Sequence, residues 1–292
     1  MLMDRLINIL VTVTLIELMV AIGLGVTFAE VIGVARNRRL VFQAALANYV
    51  CVPAAAVVLL LLFRAEALVA AGFLIAVVCP GAPFGPPLTA MAKGNVAVSV
   101  GLMAFLAGSS ALVAPLLLYS LLPIVSSGDS PSVHAGKMVV TLLATQLLPL
   151  SVGMAVRQWS PSLAARVSKP ANLLSAVLSL SVIGLILVVH FQTLVSIRPR
   201  GFAGMLALVL AALAAGWLLG MPGSGNRKAM AITTSVRNVG VALVIATSSF
   251  PATPAVTATL AFGLFQTIVV ALIALGWGRW FTAKAQRTQR SA

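Results

Sequence analysis

The sequence predicts an all-α polytopic membrane protein of nine spans, arranged as an inverted repeat with two discontinuous crossing helices. Three observations carry that reading. Of the 292 residues, 61% are hydrophobic and only 8% charged, with a mean hydropathy of +1.10, whereas soluble domains carry roughly 25% charged residues. Two hydrophobic stretches are broken near their middles, which a bilayer tolerates only where protein, water or ligand satisfies the freed backbone groups. The basic residues, finally, are segregated between alternate loops.

Stretches near the ~20 residues needed to cross the hydrocarbon fall at 6–28, 40–62, 67–92, 95–122, 136–157, 170–191, 201–220, 227–249 and 254–281. The third and the eighth are the interrupted ones. These loops put Arg36, Arg38, Arg39, Lys93, Arg157, Arg166, Lys169, Arg227, Lys228, Arg279, Lys284, Arg287 and Arg290, thirteen residues, on one side. Five lie on the other: Arg5, Arg64, Lys137, Arg198 and Arg200. By the positive-inside rule the richer side is cytoplasmic, so the N-terminus is outside and the C-terminus inside. The opening segment through Phe28 is too long for a signal-peptide core and reads as a retained span. In a soluble chain a net charge of +14 would point to nucleic acid. Here it sets orientation, and no nucleic-acid partner is expected.

The polar connector at 126–131 divides the chain. Four spans precede it and five follow, with the break in the third of four and the fourth of five. The halves match span for span if the first lacks its opening helix. Five crossings is an odd number, so consecutive units insert with opposite topology. The first repeat then occupies 1–125, the second 132–282, and 283–292 forms a cytoplasmic tail.

In the first break, 79–87, Pro80, Pro83, Pro86 and Pro87 remove four backbone donors, while Gly81 and Gly85 free the torsions. An unwound segment is expected, then a half-helix over 88–93 whose positive end points at the midplane. The second break, 233–240, has no proline. Thr233, Thr234, Ser235, Arg237 and Asn238 bring polarity midway along the span, and Gly240 closes it. An arginine at a helix centre costs roughly 2.5–3.5 kcal/mol, so Arg237 must face protein or a water-filled cavity. It serves either as the ion-pair partner of Glu17, the only acidic side chain near mid-span elsewhere, or as an anion-facing or coupling group. Glu17 is correspondingly a counter-ion or a protonatable coupling group. Asn48, Gln146 and Gln266 are amides deep in spans, suited to helix–helix hydrogen bonds or to ligand contacts.

Two such breaks, one per half, point to the binding site of a secondary transporter. Gly216-x-x-x-Gly220 fits close helix packing. Cys51 and Cys79 read as small buried hydrophobes without a disulfide. With His134 and His190 they make no metal-ligand spacing, and no catalytic constellation speaks for an enzyme.

Cys79-Pro80-Gly81, followed by Ala92-Lys93-Gly94-Asn95-Val96-Ala97-Val98-Ser99-Val100, resembles the first crossover and next helix of the bile acid:sodium symporter family. Arg237-Asn238-Val239-Gly240 resembles its second crossover. The resemblance runs from about Gly25 to the end of the last span. It implies a panel domain, a core domain in which the broken helices cross, and a bacterial inner-membrane location. It also implies sodium-coupled transport of an organic anion. The family's bacterial members have ten spans, and this chain is similar to a version without the first.

The departures from the family pattern are specific. Gly85-Pro86 stand where the family has a Ser-Asn pair. Thr233 and Arg237 stand where it has a glutamate and a glutamine. The resemblance makes those family residues sodium ligands. Asn48 corresponds to a ligand-bearing glutamine and Asn238 to the family asparagine, while Gln266 and Thr267 fall at a polar pair near the substrate. Arg237, Asn238, Gln266, Thr267 and Asn48 are thus the substrate candidates, with Thr233 and Glu17 at the ion or coupling site. No cofactor is expected, only Na+ or H+ as coupling ion; the partners are a small organic anion and membrane lipid. At an effective dielectric of 20, two unit charges about 4 Å apart interact by about 4 kcal/mol. Arg237 is therefore expected to hold the place of the sodium charge and to weaken or abolish sodium coupling. The reading from another class is a non-transporting receptor or scaffold that keeps the fold and binds without flux.

Overall fold

The computed structural model describes residues 2–125, 135–189, 191–195 and 197–290. The connector at 126–131, His134 and His190 lie outside them. Every regular element among the described residues is a helix. α1 (Leu2–Gly25) stops short of the expected 6–28 span because Thr27 opens a new helix, α2 (Phe28–Arg36). The Thr27 hydroxyl accepts from the Glu30 N–H, and the Glu30 carboxylate accepts from the Thr27 N–H at 2.8 Å. This capping box satisfies two otherwise orphaned donors.

α3 (Arg38–Ala45) and α4 (Val52–Leu62) form one span interrupted by a π turn at Leu46–Cys51. α5 (Ala67–Val77) and α6 (Gly85–Met91) are the halves of the first broken segment. α7 (Val96–Val125) follows, then α8 (Ala135–Leu142) and α9 (Leu148–Trp159), joined by a second π turn at Leu143–Leu147. α10 (Pro161–Val189), the short α11 (Phe191–Val195) and α12 (Pro199–Leu219) lead to α13 (Ser224–Ser235) and α14 (Val239–Ser249), the halves of the second. α15 (Pro254–Arg290) closes the chain and stays helical through the stretch expected to be a tail.

Among the described residues, eight segments are long and apolar enough to cross a membrane, with α13–α14 counted as one. α5 is apolar but too short to span alone. The chain is an integral membrane protein. α1 lies along α9 and α10. Gly23 and Gly153 make that approach possible, since a Cβ on Gly153 would stand 2.9 Å from the Gly23 Cα. The remaining helices gather around the broken ones: α12 on α13, α5 on α15, α6 on α7 and α13. Gly216 and Gly220 lie against Ala231 and Arg227, the close packing expected of their spacing. Burial separates the layers, for most of the α13–α14 span is enclosed, whereas in α10 only Ala164, Ser175, Val182 and Ile186 are buried.

Both breaks are shorter than the sequence suggests. The first occupies 78–84, with Pro80, Gly81 and Pro83 inside it. Gly85 and Pro86 belong to α6, which covers 85–91 rather than 88–93. The physical reason is that prolines in a helix's first turn lack N–H groups that have no intrahelical partner anyway. The second break is only Val236, Arg237 and Asn238. Thr233 remains in α13 and Gly240 in the first turn of α14, because hydroxyl side chains at helical torsions do not by themselves unwind a buried helix. Within the first break Gly81 has φ +84°. An added Cβ there would overlap the Ala107 backbone nitrogen and approach the Ala107 Cα to 2.7 Å.

Gly81→Ala is therefore expected to lose about 1–2 kcal/mol from the left-handed backbone alone, and more from displacing α7. Thermal unfolding in detergent measures it as a lowered midpoint. Gly276→Ala, where nothing lies within 4 Å of the new Cβ, should leave the midpoint unchanged or slightly raised.

Candidate functional site

The two breaks are tied together by Asn238. Its backbone N–H donates to the Cys79 carbonyl at 2.8 Å, and its side-chain amide donates to the Gly81 carbonyl at 3.3 Å. Its Oδ1 accepts from the Val241 N–H at 3.2 Å and so caps α14. One residue thus satisfies carbonyls freed by the first break and a donor orphaned at the second.

Arg237, beside it, is 1% exposed. Its Nη1 donates to Asn48 Oδ1 at 3.1 Å and its Nη2 to the Thr234 carbonyl. The Asn48 amide nitrogen donates to Thr234 Oγ1 at 3.3 Å and to the Ala44 carbonyl at 3.0 Å. Asn48 sits in the first π turn, a local widening common at functional sites. Gln266 on α15 donates from Nε2 to the Arg237 carbonyl at 3.3 Å. Arg237, Asn238, Asn48 and Gln266 thus converge on the second break.

The other candidates are placed differently. Thr233 Oγ1 is 3.1 Å from Ser99 Oγ, which accepts from Thr89 Oγ1 at 3.0 Å. This buried hydroxyl chain runs beside Gly85, where an added Cβ would stand 3.7 Å from both Ser99 Oγ and Thr233 Oγ1. Thr267 donates to the Gly263 carbonyl of its own helix at 2.8 Å and does not join the network. Glu17 accepts from Ser175 Oγ and does not pair with Arg237, whose side chain is held by Asn48 and Thr234 instead. Gln146 donates to the Ala107 carbonyl and to Ser110 Oγ at 3.0 Å, a helix–helix tie.

A cavity of about 90 Å³ lies beside the crossover, between α1, α10 and the two breaks. Arg237, Asn238, Gly240 and Pro83 form one wall; Thr14 of α1 and Ser179 of α10 supply hydroxyls opposite, and the rest is apolar. Among the described residues no acidic side chain lines it. Sequence reasoning missed Thr14, Ser179, Ser99 and Thr89, because a lone hydroxyl on an apolar span usually bonds only its own helix.

Asn48 Oδ1 and the Thr234 carbonyl both accept from the Arg237 guanidinium. Among the described residues no three His, Cys, Asp or Glu side chains gather to hold a metal. The hydrogen bonds offset part of the cost of burying the guanidinium.

Asn238→Ala removes a cap and a side-chain bond across the breaks, each worth about 1 kcal/mol. Unfolding midpoints should show a loss of about 2 kcal/mol. Asn238→Asp, which keeps the cap acceptor but loses the donor to Gly81, should fall between wild type and the alanine variant.

The description "Sodium Bile acid symporter family" matches residues 12–197. A Bacillus subtilis protein described as the uncharacterized sodium-dependent transporter YocS is 25% identical over 278 residues, covering 92% of this chain and 83% of the relative. The uncharacterized protein YbaS of the same organism is 28% identical over 220 residues, 73% of this chain and 70% of YbaS. The probable sodium/metabolite cotransporter BASS2 of rice chloroplasts is 30% identical over 170 residues, 58% of this chain but only 39% of that longer protein. The family match takes in the first break, with its Cys79-Pro80-Gly81 turn, and the two helices lining the cavity opposite Arg237. The chain belongs to the sodium bile acid symporter family.

Proposed function

We propose that this protein is a secondary transporter of a small organic anion, in which Arg237 replaces the family's sodium ion. Membership makes it a membrane transporter and not an enzyme, and at family level the coupling ion is Na+. The observation that carries the further step is the Arg237 guanidinium, buried at mid-span and bonded to Asn48, on the wall of the crossover cavity. A permanent cation there attracts an anion and repels Na+. Asn238, with the Ser179 hydroxyl on the cavity wall, offers hydrogen bonds to the anion. Gln266 and Asn48 act through Arg237 by fixing its backbone and its guanidinium. Thr233 and Thr267 are proposed to touch substrate or ion only when the cavity widens.

The architecture proposed for this function has nine crossings, with the third made by α5 and α6 together. The inverted repeat runs 1–125 and 132–282, the N-terminus lies outside and the C-terminus inside, and the membrane is a bacterial inner membrane. α1, α9 and α10 would form the panel and the other spanning helices the core, rocking against one another for alternating access. The mutual packing of α1, α9 and α10 supports that division. The cavity between α1, α10 and the crossover supports the position of the site. Glu17, near the middle of α1 and bonded to Ser175, is the position through which a proton would couple.

Purified protein in liposomes should exchange a labelled organic anion by counterflow, which needs translocation but no ion gradient. A protein that only binds gives none. An imposed sodium gradient should leave uptake unchanged, and a steep sodium dependence would sink the role given to Arg237. Arg237→Gln should lose anion-dependent thermal stabilisation by more than tenfold in apparent affinity, about 1.4 kcal/mol. In a pH gradient, Glu17→Gln should abolish the driven component of uptake while counterflow persists.

A further inference from the structure

A second group of cavities lies away from the crossover, where α4 turns into α5 and α12 begins. Two cavities of about 180 and 380 Å³ meet there and share Val69, Phe73, Gly201 and Met205. Their walls are apolar, and none of the residues that tie the breaks together lines them. The rim is positive. Arg198 and Arg200 flank the first turn of the 21-residue helix α12 and line the cavities from its end. Arg64 stands in the adjoining turn, in a left-handed conformation at φ 49°. Among the described residues Glu66 is the only acidic one in the lining. The start of α12 adds the partial positive charge of a helix N-terminus, and the Arg198 side chain does not cap it.

Depth and surroundings point to the occupant. From Arg200 to Leu208 the lining descends eight residues of helix, about 12 Å. Beside it, Leu61 and Leu62 on α4 and Phe202 and Leu206 on α12 are exposed, so the cleft is flanked by surface that faces hydrocarbon. An occupant entering from there must carry an apolar chain, and the rim selects one with an anionic head. Guanidinium groups bind phosphate through paired N–H donors, and basic rims between membrane helices hold acidic lipid headgroups. We infer that this cleft binds an acidic phospholipid, with one acyl chain between α4, α5 and α12 and its phosphate on Arg198 and Arg200.

The test titrates dioleoyl phosphatidylglycerol, dioleoyl phosphatidylcholine and glycerol 3-phosphate separately into the detergent-purified full chain and follows the thermal midpoint. Phosphatidylglycerol should raise it saturably by ~5 °C, the choline lipid of equal chains by much less, and glycerol 3-phosphate not at all. The double variant Arg198→Gln/Arg200→Gln should erase the difference between the two lipids; both side chains are exposed, and Arg200 gives up a long bond of 3.5 Å to the Phe63 carbonyl. Gly204→Leu fills the cleft from within α12, where a Cβ has 3.8 Å of clearance to the Phe63 ring. It should reduce the phosphatidylglycerol shift with the arginines intact. Equal shifts from both lipids in the wild type, or an unchanged phosphatidylglycerol shift in either variant, overturn the site. A shift from glycerol 3-phosphate as large as that from the lipid overturns the lipid assignment.

Discussion

The architecture depends on one set of hydrogen bonds, those by which Asn238 joins the two broken helices. A bilayer offers no water to a carbonyl freed by Pro83 or to the bare N-terminus of α14. Asn238 meets both demands at once: it donates to Cys79 and Gly81 in one break and accepts from Val241 in the other. The bonds require the two chains to cross within hydrogen-bonding distance. Gly81 permits this, because its positive φ and missing Cβ let the first break lie directly on the Ala107 turn of α7.

Once the crossover exists, Arg237 follows from it. The residue before Asn238 lies in the short unwound stretch, so its side chain leaves the break into protein rather than toward lipid. It meets the Asn48 amide that the π turn presents. Its carbonyl, freed by the same unwinding, is taken up by Gln266 from α15. A polar network closed around a guanidinium is costly to open, since removing one partner leaves a buried charge uncompensated. That cost argues for a fixed charge within the site.

The broken helices are enclosed by close helix contacts. Gly216 and Gly220 bring α12 onto α13, and Gly72 brings α5 onto α15, where Thr259 donates to its carbonyl at 3.0 Å. At the cytoplasmic side predicted by charge, buried Lys228 donates to the Ala92 carbonyl at the end of α6, and Asn95 bonds Asn226 at 2.9 Å. The end of α6 and the start of α13 are therefore fastened to each other. The looser boundary lies toward α1 and α10, where the cavity is.

The sequence by itself determined the membrane class, the places of both interruptions and the identity of their central residues. Each of these follows from composition or from a residue type that lipid excludes: Pro80 and Pro83 have no N–H, and Arg237 carries a charge at mid-span. It also carried the Thr27–Glu30 capping box, unused there because a helix start was not expected inside an apolar run. Tertiary structure alone decided the extent of the breaks, since Pro86 and Thr233 are compatible with helix as well as with its interruption and packing chooses between them. It alone separated Glu17 from Arg237. Two opposite charges at similar depth look like a pair in one dimension, but Ser175 holds one and Asn48 the other on different helices. It alone chose Thr14 and Ser179 to line the cavity, because which faces of α1 and α10 meet the crossover is set by how those helices pack.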